Sequence, residues 1–382
     1  MAASGKIART GHRARMAGGA VLLMLAAVAA RADPITLYVG SGGGEFASLS
    51  SAVASATAGY NAANTYTIDI DPGTYLNSAT IVNIPLTIQN DNPTAGAVVL
   101  NDSADQGATP TYAIPNLKGI LVTNAAVTVN GLTFEGAAVP VADGGNGAGI
   151  RAQAGNLSVY NSSFIDDQDG ILTNPDAAMN VLIDNSVFDG NGNATGPDAG
   201  FTHAIYVGED ASLTVEDSTF NGTQAGHDIK SRAASTTIAD NYLDDGVTGT
   251  ASYAIDVPNG GVATIEGNTI VQGTNTQNPA MIAYDAEHLA YTDNSLLVKD
   301  NSFTNYLPGL AIGVDNYSGG NGDPPVYAQL TGNTFTDLSG DSPSTFQPVT
   351  RPVSTPEPST FVLLAGALLL WPATRLRRSG TD

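Results

Sequence analysis

Cysteine is absent from the 382 residues, tryptophan occurs once, and only 13% of the chain is charged. Without cysteine there are no disulfides, no thiol nucleophile and no thiolate zinc site. Stability must come from core burial and backbone ladders. The two strongest apolar runs, Ala20 to Ala30 and Phe361 to Trp371, are shorter than the roughly 20 residues of an ordinary spanning helix.

Positive charge is scarce and unevenly placed. Of 14 basic residues, nine lie near the ends: Lys6, Arg9, Arg13, Arg15, Arg31, Arg351, Arg375, Arg377 and Arg378. The body from Asp33 to Thr350 keeps Lys118, Arg151, Lys230, Arg232 and Lys299. Only Glu357 and Asp382 of the 36 acids lie outside it, so five bases face 34 acids and the body carries a formal charge of −29. Such a surface repels nucleic acid and anionic membranes, and no nucleic-acid partner is expected.

What is present is Gly (43 residues) with abundant Asn, Asp, Ser and Thr. These residues disfavour helices and suit short strands joined by polar turns. Val, Ile, Leu and Phe recur throughout, so the chain has the apolar material of a packed core.

The ends read as sorting segments. Residues 1–32 combine bases from Lys6 to Arg15, an apolar run and Ala30-Arg31-Ala32 before Asp33-Pro34, the pattern of a secretory signal peptide. A start at Met16 is the alternative. Residues 341–355 are rich in Pro, Ser and Thr and read as a linker. In 356–382, Pro356-Glu357-Pro358 precedes the apolar run Phe361 to Trp371 and the cluster Arg375, Arg377, Arg378. This segment resembles the PEP-CTERM sorting signal, although Thr355 stands where that family usually has Val. The resemblance implies a transient membrane anchor and processing by an exosortase, in systems that accompany exopolysaccharide production. The basic cluster places the tail end in the cytoplasm and the body outside.

Between the ends the chain repeats. An aliphatic residue is followed two positions on by a small polar residue or Gly and five positions on by a large apolar residue. The pairs are Val129/Phe134, Val159/Phe164, Ile183/Phe188, Val215/Phe220, Ile238/Leu243, Ile265/Ile270, Val298/Phe303 and Leu330/Phe335, starting 23 to 33 residues apart. Ser162, Ser186, Ser218, Asn241, Asn268, Asn301 and Asn333 form a polar column suited to bonding along turn backbone. A second apolar column is Ile120, Ile150, Ile171, Ile205, Ile229, Ile255, Ile282 and Ile312. Phe46, Leu49 and Val53 have helical spacing and predict a short cap for the open end of a solenoid. Thr67 to Tyr75 reads as strand, turn and strand.

This organisation resembles the pectin-lyase-like right-handed parallel β-helix superfamily. It implies an all-β solenoid, with a cap and first coils over 33–115 and the main coil over 116–340.

Equivalent positions on successive rungs of such a coil lie ~4.8 Å apart. Alignment on the Ile column puts Asp169, His203, His227 and Tyr253 two positions before it, and Leu172, Tyr206, Lys230 and Asp256 one position after it. Arg232 follows Lys230 on the same outer face. The body has three His and five bases, so their concentration at 203–232 stands out.

Outer walls in this superfamily commonly bind acidic polysaccharides. For a uronate lyase or C5-epimerase, Arg232 suits the carboxylate. Lys230 or His227 suits the base if nearby positive charge depresses its pKa, and Tyr206 or Tyr253 the acid. Asp256 and Asp169 would line the same sugar.

The alternative is a structural ion network in which these cations pair with Asp228 and Asp256 on a non-catalytic surface or matrix protein, such as an adhesin or exopolysaccharide-associated spacer. Asp166, Asp167 and Asp169 are the carboxylates a glycoside hydrolase would use, though Asp-Gly at 169–170 also suits a polar turn. Calcium is the single cofactor suggested, through Asp189-Gly190-Asn191-Gly192-Asn193. That segment departs from an EF-hand at Ala194 and Gly200.

Overall fold

The computed structural model describes residues 33–40, 45–76, 78–101, 118–197, 199–320, 322–341 and 344–350. The signal-peptide and PEP-CTERM segments lie outside these residues. Three sheets of 11, 10 and 10 strands account for the described body, and all strand pairs within them are parallel. Each turn of the chain adds one strand to the first sheet, one to the second and one to the third, then starts the next rung. The result is the expected β-helix.

The two halves of the repeat occupy the first two sheets. Val129, Val159, Ile183, Val215, Ile238, Ile265, Val298 and Leu330 are in register along the first sheet. Phe134, Phe164, Phe188, Phe220, Leu243, Ile270, Phe303 and Phe335 are in register along the second. Four of these Phe rings form one stack, with centroids 5.1, 4.7 and 4.8 Å apart and planes within 8° of parallel. Each such pair adds about 0.5–1.5 kcal/mol beyond its burial.

The small residue between each pair has a backbone reason. Gly131, Asn161, Asn185, Asp217, Asp240, Gly267, Asp300 and Gly332 all have φ between 48° and 72°. In this left-handed region Gly carries no Cβ penalty, and Asn and Asp are the side chains that tolerate it best. The next residue builds a ladder inside the corner. Backbone N–H groups of Ser162, Ser186, Ser218, Asn241, Asn268 and Asn301 each donate to the polar side chain of the following rung, at 2.9–3.3 Å. The Asn carboxamides also donate back to carbonyls of the preceding rung, as Asn268 Nδ2 does to Ile238 at 2.9 Å.

The Ile column runs through the third sheet as expected from Ile150 to Ile282. It changes at both ends. Leu121 rather than Ile120 aligns with Ile150, and Val314 rather than Ile312 aligns with Ile282. Both displaced Ile side chains remain buried, because this sheet is covered on both faces at these rungs.

The N-terminal cap is the helix Leu49–Ala58, capped by the Ser48 hydroxyl and burying Leu49, Ala52, Val53 and Ala56 against the first coil. Phe46 precedes the helix and instead forms a parallel bridge with Val39. At the other end, Phe346–Val349, within the segment read as a linker, adds a strand to the third sheet. Phe346 can do so because its ring packs edge-on against Phe335, 5.8 Å away.

Candidate functional site

The third sheet sets the site. Its strands Ile205–Val207, Ile229–Ser231 and Ile255–Val257 put Tyr206, Lys230 and Asp256 side by side on the outer face. Just before each strand, His203, His227 and Tyr253 stack as rings. The centroids are 4.7 Å apart for His203 and His227, and 5.2 Å apart for His227 and Tyr253. Tyr206 lies beside His203 at 5.6 Å. The sequence-predicted cluster therefore converges, but beneath a crowded surface: His203, His227, Lys230 and Asp256 are each at most 8% exposed.

These rings also serve the backbone. The N–H of His203 donates to Asp169 Oδ1 at 2.8 Å, that of His227 to His203 Nδ1 at 3.1 Å, and that of Tyr253 to His227 Nδ1 at 3.1 Å. This second ladder runs opposite to the one in the Asn corner. An Nδ1 that accepts an N–H leaves the ring proton on Nε2. Burial, reinforced by Lys230 and Arg232, lowers His203 to about 3. Burial, then His203 and Lys230, holds His227 well below the usual histidine range. Both imidazoles are neutral at physiological pH. The positive charge of the cluster thus belongs to Lys230 and Arg232.

Each cation has carboxylate company. Lys230 Nζ lies 3.0 Å from Asp256 Oδ2 and 3.0 Å from Glu287 Oε1. Arg232 Nη2 lies 2.7 Å from Glu287 Oε2. Arg232 Nε donates to the Tyr206 hydroxyl at 2.7 Å, and Nη1 donates to Asn259 Oδ1. Burial opposes the charge on Lys230, but Asp256 and Glu287 outweigh it and raise the pKa. Lys230 is therefore an ammonium, and the depressed pKa that would make it a base does not arise. Asp256 Oδ2 also faces His227 Nε2 at 3.5 Å, while its Oδ1 is buried without a hydrogen-bond partner.

Asp228, expected as an ion partner, is elsewhere. Its carboxyl is fully buried against Thr223 and Asp245, and burial pushes its pKa far up. Its partners Thr223 and Asp245 lie outside the Lys230–Arg232 cluster, so it offers neither cation a carboxylate. Asp169 stands at the end of the ring ladder, 2% exposed, with a pKa raised to about 7 by burial against the opposing pull of the His203 N–H and Arg151. Asp166 is exposed, whereas Asp167 is buried and accepts the Ala137 N–H at 2.7 Å. Asp167 and Asp169, the latter within strand Asp169–Thr173, are each engaged by a backbone N–H of a neighbouring rung. Asn191 is likewise engaged in the backbone: its Oδ1 accepts the Asp167 N–H at 3.1 Å and its Nδ2 donates to Phe164 O at 3.0 Å. Among the described residues, no group of three or more His, Asp or Glu is arranged to hold a metal ion.

Sequence reasoning missed Glu287, Asn259 and Tyr291, the last of which donates its hydroxyl to Arg232 O. Glu287 and Tyr291 sit in the connection between strands Ala280–Tyr284 and Ser295–Lys299. One signal pointed there: the step from Ile265 to Val298 is the longest in the repeat, at 33 residues. Extra length in a solenoid rung marks a decorated surface loop.

The strand order, the unbroken parallel pairing and the two internal ladders define a parallel β-helix protein with a polar cluster on one wall. The family model for the right handed beta helix region matches residues 75–243 and 118–296, and the chain belongs to that family. Among solved structures it is similar to a pectin methylesterase from Aspergillus niger, with 12% identity over 84% of this chain and 91% of that one, at a TM-score of 0.38. No curated protein sequence matches the chain.

Proposed function

We propose that this is an exported, cell-surface β-helix protein that binds carboxylate groups of an acidic polysaccharide at Lys230 and Arg232 without cleaving or epimerising the chain. One observation carries the reading: these two cations already grip a half-exposed carboxylate, that of Glu287, one oxygen each. The grip is braced from behind by Asp256, Tyr206 and Asn259. Charge-assisted contacts of this kind give a carboxylate both affinity and orientation. Lys230 and Arg232 are two of the five basic residues on a strongly acidic body.

The engaged side chains favour binding over C5 proton abstraction. A lyase or epimerase needs a base with a free lone pair near the sugar. Lys230 is held protonated, and the Nδ1 lone pairs of His203 and His227 are taken by backbone N–H groups. Export rests on the signal-peptide pattern and on the likeness of the tail to PEP-CTERM segments, which also makes an exosortase its processing partner.

The test is binding of the mature body to immobilised alginate, polygalacturonate and neutral dextran, with and without calcium. Retention on the uronic polymers that weakens with salt, is lost in Arg232→Ala, and leaves absorbance and proton NMR of the polymer unchanged is the expected result. Appearance of unsaturated ends or inverted C5 centres would establish catalysis instead. Failure to bind any uronic polymer would leave the cluster as the internal brace of an adhesin or spacer.

A further inference from the structure

We infer that Glu287 is a displaceable internal ligand, an autoinhibitory contact whose carboxylate occupies the place of a polysaccharide carboxylate at Lys230 and Arg232. The inference rests on the binding function proposed above and adds a regulatory element to it.

The layering of the site supports displacement. The Glu287 side chain is 46% exposed, over Lys230 at 10% and Arg232 at 19%. The carboxylate is thus the outer layer and the cations the floor. Removing it does not collapse the receptor, because Lys230 retains Asp256 and Arg232 retains Tyr206 and Asn259. Glu287 is the solvent-facing member of both ion pairs, so a multivalent polyanion can approach the two cations from outside and compete with it.

The backbone presents the side chain deliberately. Glu287 N–H donates to Pro258 O at 2.8 Å, Ala290 N–H to Asn259 O at 2.9 Å, and Asn259 Nδ2 to His288 O at 3.1 Å. Two flanking non-glycine residues, Asp285 and His288, are held in the left-handed region at φ 61° and 77°. Both Asp285 carboxylate oxygens are buried without hydrogen-bond partners. Such unfavourable features persist where the surroundings over-determine them, and they gather at ligand clamps and switches. With the backbone tethered, release of the site needs only rotation of the Glu287 side chain.

An occupied receptor binds more weakly, in proportion to the fraction left free. Glu287→Gln keeps the shape and a hydrogen-bond acceptor while removing the charge, and Glu287→Ala removes the competitor altogether. Both should bind polygalacturonate at low salt about tenfold or more tightly than the parent, within the usual range of coupling between sites. In the parent, the Glu287 carboxylate should titrate below the ordinary glutamate range. Although burial acts the other way, Arg232 and Lys230 hold its pKa down. Carbon-13 NMR should show it returning to the ordinary range when oligogalacturonate is bound.

Tighter binding by the variants together with that return supports the inference. If the parent binds but neither variant binds more tightly and the Glu287 titration is unmoved by ligand, Glu287 is a structural clamp and the binding reading stands without it. If one variant misfolds, the parent titration decides. If neither parent nor variants bind, both the inference and the reading it rests on fail.

Discussion

His203 Nδ1 accepts the backbone N–H of His227 at 3.1 Å, and this bond makes a ring that looks catalytic in sequence into part of the scaffold. The imidazole cannot take a second proton on that nitrogen without breaking the ladder. His203→Ala should therefore destabilise the protein by about 1–3 kcal/mol, the cost of a buried N–H left without a partner. His203→Asn, which restores an acceptor, should recover part of that loss. Urea unfolding of the three proteins checks this; equal midpoints for parent and Ala variant would remove the ladder from the account of stability.

Ile229 lies at the centre of the third sheet and is fully buried. Ile229→Asp puts an unpaired charge into a packed stack, a change that costs more than most domains have to spare. The expected outcome is loss of cooperative β-structure by circular dichroism. Ser186→Asn should be tolerated, because Asn fills the same ladder position at 241, 268, 301 and 333. A parent-like melt for Ile229→Asp would show that it does not face the core.

Asn268 is the most heavily bonded member of its ladder. It accepts the Asn241 N–H at 2.9 Å and donates to Ile238 O and Asn301 Oδ1, each at 2.9 Å. Asn268→Ala should cost about 1–3 kcal/mol for each buried group it orphans. Asn268→Ser should cost less, since Ser performs the N–H acceptor role at 162, 186 and 218. Chemical denaturation of the two variants should rank them in that order.

Asp245 has its pKa raised to about 7 by burial, against the opposing pull of the Thr223 N–H, with Asp244 adding repulsion and Asp228 in direct contact. The unfolded carboxyl titrates near the ordinary value of about 3.9. Between these values the folded chain holds a proton that the unfolded chain has released, so this contribution is fully present below pH ~4 and is lost as pH rises through about 7. The depressed His203 works in the opposite sense, its contribution being lost as pH falls from ~6.5 toward 3. Asp245→Asn separates the two. Relative to the parent, its melting temperature should rise between pH 5 and pH 8, and a difference that does not change with pH would contradict the acid pair of Asp228 and Asp245.

Replacing Pro356-Glu357-Pro358 should leave an unprocessed, membrane-retained precursor. Fractionation and immunoblotting of the host read this directly. A variant that matures and is released like the parent would remove the sorting function proposed for the tail.

Much of the architecture was written locally. Parallel stacking repeats one environment on every rung, so the residues that satisfy it recur along the chain: an aliphatic residue facing the core, Gly, Asn or Asp where φ turns positive, a ladder side chain, then Phe. That is why Val159, Asn161, Ser162 and Phe164 predict the roles of Val215, Asp217, Ser218 and Phe220. It is also why His203, His227 and Tyr253 were legible as stacked neighbours. Where the repeat stops, sequence reading loses its footing, as with Phe346 joining the third sheet and with Leu121 and Val314 replacing their Ile neighbours.

The chemical state of the site was decided only by tertiary structure. Nothing local in His227-Asp228-Ile229-Lys230 tells that Asp228 is buried against Asp245, or that the ring nitrogens bond the next rung's backbone. Nor does it show that Glu287, 57 residues beyond Lys230, returns to cover it. Charge and protonation depend on distance and burial, which fall off over a few ångströms in space regardless of separation along the chain. Composition and periodicity determined the coil, and the fold decided which cations were spoken for.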